Sequence, residues 1–135
     1  MKRIAWSSKL NLGVEQIDDQ HKRLVKLTNN LIGAIQSNMA DDILGFIAQE
    51  LREYTEFHFQ DEERLMRDIG YPDLDDHAAL HGALKERVTR YQESLEQGGA
   101  VPATEILSFL KDWLVNHIIY CDMKIGKYIR EQKEE

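Results

Sequence analysis

The apolar residues of this chain recur in steps of three and four along four segments, which is the spacing of one face of an α-helix. The segments cover about 18–37, 41–70, 72–97 and 102–130, and the glycine pair 98–99 stops the third. The connections between them are only a few residues long, so neighbouring helices must run antiparallel. The pattern therefore predicts an all-α protein, an antiparallel up-down-up-down four-helix bundle.

The two ends of the chain do not follow the helical pattern. Residues 1–17 carry scattered apolar side chains at Trp6, Leu10, Leu12 and Val14, which predicts an extended N-terminal arm packed along the bundle. The last residues are almost all charged, so we expect a frayed tail at 131–135. We interpret residues 1–135 as one domain, with the arm at 1–17 and the helical bundle at 18–130.

Composition and charge exclude several classes of protein. The hydrophobic share of 42% and the charged share of 30% are those of an ordinary globular chain. The net charge of -7 disfavours nucleic acid and anionic membranes as partners. The chain has a single cysteine, no signal peptide and no apolar run of roughly 20 residues that could span a membrane. We therefore expect a cytoplasmic protein.

The candidate chemistry lies on the apolar faces themselves, where polar residues are unexpected. All five histidines of the chain fall there, and two carboxylates join them. No lysine or arginine lies on these faces, so buried carboxylates would be uncompensated and costly. Cations from outside the sequence must balance them. The predicted metal ligands are His21, His58, Glu62, His77, His81, His117 and Asp122.

The spacing and level of these residues fit a shared metal site. His77 and His81 are four residues apart, as are His58 and Glu62, so each pair faces one point from its own helix. In an antiparallel bundle all seven residues lie near one end. Seven ligands are too many for one tetrahedral zinc, whereas two six-coordinate metals would accept them and keep one open position for dioxygen. Imidazole and carboxylate ligands suit iron, manganese or zinc.

The order His, HxxxE, HxxxH, HxxxxD resembles the signature of the hemerythrin family. The matching stretches are IDDQHKRL, YTEFHFQDEERLM, GYPDLDDHAALH and WLVNHIIYCD. The resemblance implies a centre of two non-haem iron ions bridged by oxide or hydroxide, with dioxygen as its ligand. By position, it assigns His77, His81 and His117 to one iron and His21 and His58 to the other, with Glu62 and Asp122 bridging both.

The resemblance implies reversible dioxygen binding for oxygen carriage, storage or supply, and no enzymatic turnover. Two alternatives stay open. One is an oxygen or redox sensor that acts through a partner protein, which would be an unidentified oxidase or signalling partner. The other is a di-iron oxidase or peroxidase, or an iron-centre repair protein.

The step from His117 to Asp122 raises a problem of geometry. Five residues of an α-helix turn through about 140°, so these two side chains would not share a face. We therefore predict a local widening of the helix at 119–122, as a π-bulge.

The neighbours of the predicted ligands carry further expectations. We expect Trp113 and Cys121 to be packing residues and Gln20 to point outward into solvent. The expected lining of a dry pocket is Leu24, Val25, Leu114 and Ile118.

Overall fold

The computed structural model describes residues 3–99, 101–113, 117 and 120–134, and it confirms the all-α bundle. Its α-helices are α1 (Glu15–Gln36), α2 (Ala40–Ile69), α3 (Leu74–Glu96), α4 (Ala103–Trp113) and α5 (Met123–Glu134), and a short 3-10 helix spans Ser8–Leu10 in the otherwise extended N-terminal arm. The fourth segment of the bundle consists of α4 and α5 with π-helical residues between them. None of the helices in the described ranges is long and apolar enough to cross a membrane.

Contacts between side chains show the antiparallel register of the helices. Near the start of α1, Gln16 binds Asp61 late in α2, whereas Arg23, two turns further along α1, binds Glu50. The residue numbers rise on one helix as they fall on the other. The same relation holds between α2 and α3, where Arg52 binds Gln92 and Glu63 contacts His81.

The helix ends follow ordinary capping chemistry. Asp41 and Asp42 lie in the first turn of α2, where negative charge interacts favourably with the helix dipole. Gly70 ends α2 in the left-handed conformation, with φ of 66°, and Gly98 follows α3 with φ of 79°. Glycine adopts these angles without the steric cost that a Cβ would add. The predicted ends of α2 and α3 are therefore close to the observed ones.

The fourth segment widens where the sequence predicted it. Residues 117 and 120–122 are π-helical, and residues 118 and 119 lie outside the described ranges. A π-turn bonds residue i to residue i+5, so residues five apart become neighbours on one face. His117 and Asp122 are accordingly both buried, with Nε2 and Oδ2 3.0 Å apart. Beyond this turn, α5 continues to Glu134, past the predicted end of the bundle at 130.

The apolar interior consists of two clusters. Along each helix, the predicted metal ligands lie between the residues of one cluster and those of the other. The larger cluster fills the bundle between α1, α2, α3 and α4, with Leu24, Leu31 and Leu110 fully buried. The sequence predicted apolar residues at this end only. The smaller cluster lies on the other side of the histidines and consists of Leu12, Ile17, Met66, Tyr71 and Ile125.

The N-terminal arm is fixed to the bundle at three places. The Asn29 side chain accepts a hydrogen bond from the backbone nitrogen of Ile4 and donates one to its carbonyl. The Asp18 carboxylate accepts from the backbone nitrogens of Leu12 and Gly13, at 2.5 and 3.1 Å. At the third place the arm lies directly on α5, because a Cβ built on Gly126 would be 2.6 Å from the carbonyl oxygen of Leu12. A larger side chain there would displace the arm.

Candidate metal centre

The structure brings all seven predicted ligands together in the interior. α1 supplies one residue, α2 and α3 supply two each, and the π-helical turn supplies the last two. Their exposed fractions range from 0% to 6%, and His77 is the most exposed of them. The seven are His21, His58, Glu62, His77, His81, His117 and Asp122.

The imidazoles converge on the two carboxylates through the same ring atom, Nε2. All five Nε2 atoms lie 2.6–3.7 Å from an oxygen of Glu62. Three of them also lie 2.7–3.0 Å from Asp122, those of His21, His77 and His117. Within the described part of the chain, neither carboxylate forms an ion pair with a lysine or an arginine. The charge of the site is therefore balanced only by what the imidazoles can hold.

The donor atoms form two overlapping groups, each able to surround one metal ion. Both groups contain Glu62, Asp122 and His117. His21 and His58 complete the first group, and His77 and His81 complete the second. Within each group all donor atoms lie within 4.8 Å of one another. Two carboxylates common to both groups are what a pair of bridged metals requires.

Gln20 does not point into solvent, so that expectation is wrong. Its Oε1 accepts a hydrogen bond from Nδ1 of His58 at 2.7 Å, and its Nε2 donates to Asp61 at 2.7 Å. Helix α1 is rotated so that the face next to His21 meets α2. Because Nδ1 of His58 carries the proton, its Nε2 presents a lone pair to the site, where it lies 3.2 Å from Nε2 of His117.

His81 has the same arrangement with a different partner. Its Nδ1 contacts the carboxylate of Glu63 at 3.3 Å, and its Nε2 lies 3.0 Å from Oε1 of Glu62. A carboxylate only accepts, so a proton or another cation must lie between each of these ring nitrogens and its carboxylate. Nε2 of His58 likewise lies against Glu62, at 3.3 Å. Two ring nitrogens from different helices thus face the same buried carboxylate, so the residues fit a bound metal.

The acid–base properties of the metal-free site lead to the same conclusion. Burial raises the pKa of Asp122 well above its usual range, and the nearby charge of Glu62 raises it further. Burial also raises the pKa of Glu62, but the imidazoles of His117 and His58 outweigh it and hold this pKa well below its usual range. Burial lowers the pKa of both those imidazoles. The pKa values of the two carboxylates are thus shifted in opposite directions, and a bound cation would lower the cost of burying a charged Asp122.

Among the imidazoles whose pKa is shifted, His77 is the exception, because its pKa is raised. Burial lowers its pKa, but hydrogen bonds to Asp122 and Glu62 outweigh that effect and raise the pKa to about 9. In the metal-free chain at neutral pH, His77 therefore holds a proton at Nε2. A metal ion would have to displace it.

Aromatic rings surround the imidazoles on the side of the larger cluster. Tyr54 stacks on His58 with ring centroids 5.1 Å apart, and Trp113 lies 5.9 Å from His117. Trp113 is buried in the larger cluster, so it packs as predicted. The Tyr54 hydroxyl and the Trp113 indole nitrogen are buried and have no hydrogen-bond partner among the described residues.

The remaining expectations about neighbours have mixed outcomes. Leu24 and Val25 are buried in the larger cluster, whereas Leu114 and Ile118 lie outside the described residues. Cys121 is half-buried and lines a surface cavity of about 220 Å³ that reaches His77.

The residues that bind the outer nitrogens of His58 and His81 were not predicted from the sequence. A signal for them was present: a histidine that binds metal usually donates its other N–H to an acceptor. Glu63 follows Glu62 directly, and Gln16 and Gln20 are one turn apart on α1, on the same face.

Comparison with known proteins identifies the family. Residues 12–127 match the family described as the hemerythrin HHE cation binding domain. A bacteriohemerythrin of Pseudomonas aeruginosa is 36% identical over the whole chain and 87% of its own length. The myohemerythrin of Theromyzon tessulatum is 31% identical over 88% of each chain.

The solved structures agree with the sequence relatives. The crystal structure of a wild-type hemerythrin superposes with a TM-score of 0.82 at 30% identity, covering 93% of this chain and 97% of the other. The match therefore extends to the fold, a helical bundle. The chain belongs to the hemerythrin family of oxygen-binding, di-iron proteins.

Proposed function

We propose that this protein binds dioxygen reversibly at a non-haem di-iron centre and serves in oxygen carriage, storage or supply. One observation carries the proposal: five Nε2 atoms converge on two buried carboxylates common to two groups of donor atoms. Imidazole and carboxylate donors without thiolate suit iron. When bound, two ferrous ions would supply the two electrons that bind dioxygen and are recovered on its release.

In this proposal the seven residues divide as the family signature implies. His77, His81 and His117 would hold one iron, and His21 and His58 would hold the other, which would keep a position for dioxygen. Glu62 and Asp122 would be shared by the two irons. The overlap of the two groups of donor atoms supports this division for every residue except His117, which lies within reach of both positions.

The role of the rest of the chain is to hold the donors still and to keep water away. The larger cluster closes one side of the site, with Leu24 fully buried beside His21. The smaller cluster closes the other side. One surface cavity reaches His77, and another reaches His117, the histidine within reach of both metal positions. His21 and His58 are both 0% exposed, which supports a dry position at the two-histidine iron, where protons would otherwise release bound oxygen as peroxide.

The test is metal analysis followed by oxygen titration. The purified chain is loaded with ferrous iron under nitrogen, and its iron content and visible spectrum are then measured. We expect about two irons per chain and an absorption band that appears with oxygen and vanishes when oxygen is removed. Immediate irreversible oxidation, or failure to bind iron, would overturn the proposal. The His58→Ala variant is the matched control and should show no oxygen-dependent band.

A second candidate, a peroxidase, is favoured by one observation. The Tyr54 hydroxyl is buried with no hydrogen-bond partner in the part of the chain that the structure describes, and its ring stacks on His58. Burial raises the pKa of Tyr54 well above its usual range, so the phenol keeps its proton. A phenol beside a redox metal can supply an electron and a proton. Peroxide-dependent oxidation of a phenolic dye that is lost in Tyr54→Phe would favour this candidate over oxygen carriage.

A further inference from the structure

Gln20 lies outside the seven predicted ligands, yet it contacts one of them directly. We propose that Gln20 is a positioning residue that fixes the tautomer of His58 and so retains the metal at the position of His21 and His58. The inference rests on the proposed function, because it requires a metal at that position.

The orientation of the Gln20 amide is determined by its two partners. Its Nε2 lies 2.7 Å from Oδ2 of Asp61, a carboxylate oxygen that accepts. Its Oε1 therefore faces the other way, 2.7 Å from Nδ1 of His58. An amide oxygen accepts, so only the tautomer with a proton on Nδ1 can form this bond. The lone pair of the ring is then on Nε2, which lies 3.3 Å from Glu62 inside the site.

Removing the acceptor would change the state of the imidazole. A buried N–H without a partner is costly, so His58 would move its proton to Nε2 or rotate its ring. Either change takes the lone pair away from the metal. Loss of such an outer hydrogen bond typically lowers metal affinity about 10- to 100-fold. The effect should be local, because His81 has its own acceptor in Glu63.

The chain offers a matched control one helical turn away. The side chain of Gln16 donates a hydrogen bond to the same oxygen of Asp61, at 2.9 Å. The contact is exposed, and the outer nitrogen of His58 is already bound by Gln20. Gln16→Leu and Gln20→Leu therefore remove the same kind of bond to Asp61, but only Gln20→Leu affects His58.

The experiment compares metal release from the wild type and the two variants. Each is loaded with zinc and then mixed with excess chelator, and zinc release is followed over time. We expect Gln20→Leu to release one of its two zinc ions at least about tenfold faster, with the other unchanged. Gln16→Leu should match the wild type. Nitrogen NMR of the zinc-loaded proteins should show a protonated Nδ1 of His58 in all but Gln20→Leu.

A double variant distinguishes positioning from a general loss of packing. In Gln20→Glu with Asp61→Asn, the new carboxylate still accepts from Nδ1 of His58 and the new amide donates to it. Slow zinc release should return. Wild-type release rates in Gln20→Leu, or equal acceleration of both zinc ions, would overturn the inference. A wild-type chain that binds fewer than two metals would instead overturn the proposed function, so the two failures are distinguishable.

Discussion

Phe59 lies flat against the imidazole of His81, with ring centroids 4.0 Å apart and planes only 4° apart. The pair joins α2 to α3 at the level of the site. Phe59 is also within 5.6 Å of the rings of both His58 and His117, so it supports three imidazoles at once. Its position next to His58 in the sequence places it on the adjoining side of the helix, where it is 3% exposed.

This contact predicts a large effect of Phe59→Ala. The variant should lose about 3–5 kcal/mol in the free energy of unfolding, because a buried aromatic ring leaves a cavity. It should also release metal faster, because the imidazoles lose their support. Denaturant unfolding and chelator competition measure the two effects. Phe57→Ala is the control: Phe57 is 66% exposed, so the change should stay within about 0.5 kcal/mol. Equal effects of the two variants would contradict the role given to Phe59.

Asp122→Asn should have opposite effects on the metal-free and metal-loaded proteins. Burial and the charge of Glu62 raise the pKa of Asp122, so at neutral pH the metal-free fold must protonate this carboxylate or bury its charge. Asparagine removes that cost, and the melting temperature of the metal-free chain should stay equal or rise. The increase in melting temperature on adding metal should largely disappear, because one bridging carboxylate is gone.

Calorimetric melting with and without zinc checks this prediction. Asp112→Asn, on the exposed side of α4, is the surface control and should leave both melting temperatures unchanged. A metal-induced increase in Asp122→Asn as large as in the wild type would show that Asp122 does not hold the metal.

Metal affinity should rise with pH up to about pH 9. Hydrogen bonds to Asp122 and Glu62 raise the pKa of His77 to about 9, so a proton occupies its Nε2 below that pH and competes with the metal. The pKa of Asp122 is raised too, because burial disfavours its charge, so protons also compete with the metal at this carboxylate. Titration calorimetry with zinc in buffers of different protonation enthalpy would count the protons released. A zinc affinity that does not change between pH 6 and pH 9 would refute the prediction.

The raised pKa of His77 predicts the opposite pH dependence for the stability of the metal-free fold. Because the pKa of folded His77 lies above the unfolded value of about 6.5, its contribution to stability is present below pH 6.5. That contribution is lost as the pH rises through about 9. Urea titrations of the metal-free chain between pH 6 and 10 should show this decline, which His77→Ala should remove.

Gly126→Ala should loosen the N-terminal arm. The added Cβ would lie 2.6 Å from the Leu12 carbonyl, so arm or helix must shift, at a cost of about 1–3 kcal/mol. Metal release should also quicken, because Leu12 belongs to the smaller cluster over the site. Gly45→Ala is the control, since a Cβ there meets nothing within 4 Å and a helix favours alanine. If Gly126→Ala and Gly45→Ala have the same stability and the same rate of metal release, the arm does not have this role.

The sequence was informative where helical geometry alone decides the outcome. The four-residue steps from His58 to Glu62 and from His77 to His81 fix each pair on one face, whatever the helix packs against. The five-residue step from His117 required a wider turn, and that turn is present. Gln20 was misjudged because the rotation of α1 about its own axis depends on its neighbours. Its adjacency to His21 does not reveal which helix it faces.

The tautomers could not be derived from the sequence for a similar reason. They depend on which acceptor reaches Nδ1 of each imidazole, and both Gln20 and Glu63 do so from a neighbouring part of the fold. The smaller apolar cluster was also missed. It is assembled from residues as distant in the chain as Leu12 and Ile125, and no single helix displays it as a pattern.

The position of the site between two apolar clusters means that the described residues form two separate hydrophobic cores. A layer of imidazole and carboxylate groups divides the interior into two, and apolar packing alone cannot join the halves. The metal pair would be the element that completes the interior, in the way a disulfide completes a small secreted domain. Loading the centre and finishing the fold would then be one event, and the cell's supply of iron would set how much of this protein is fully folded.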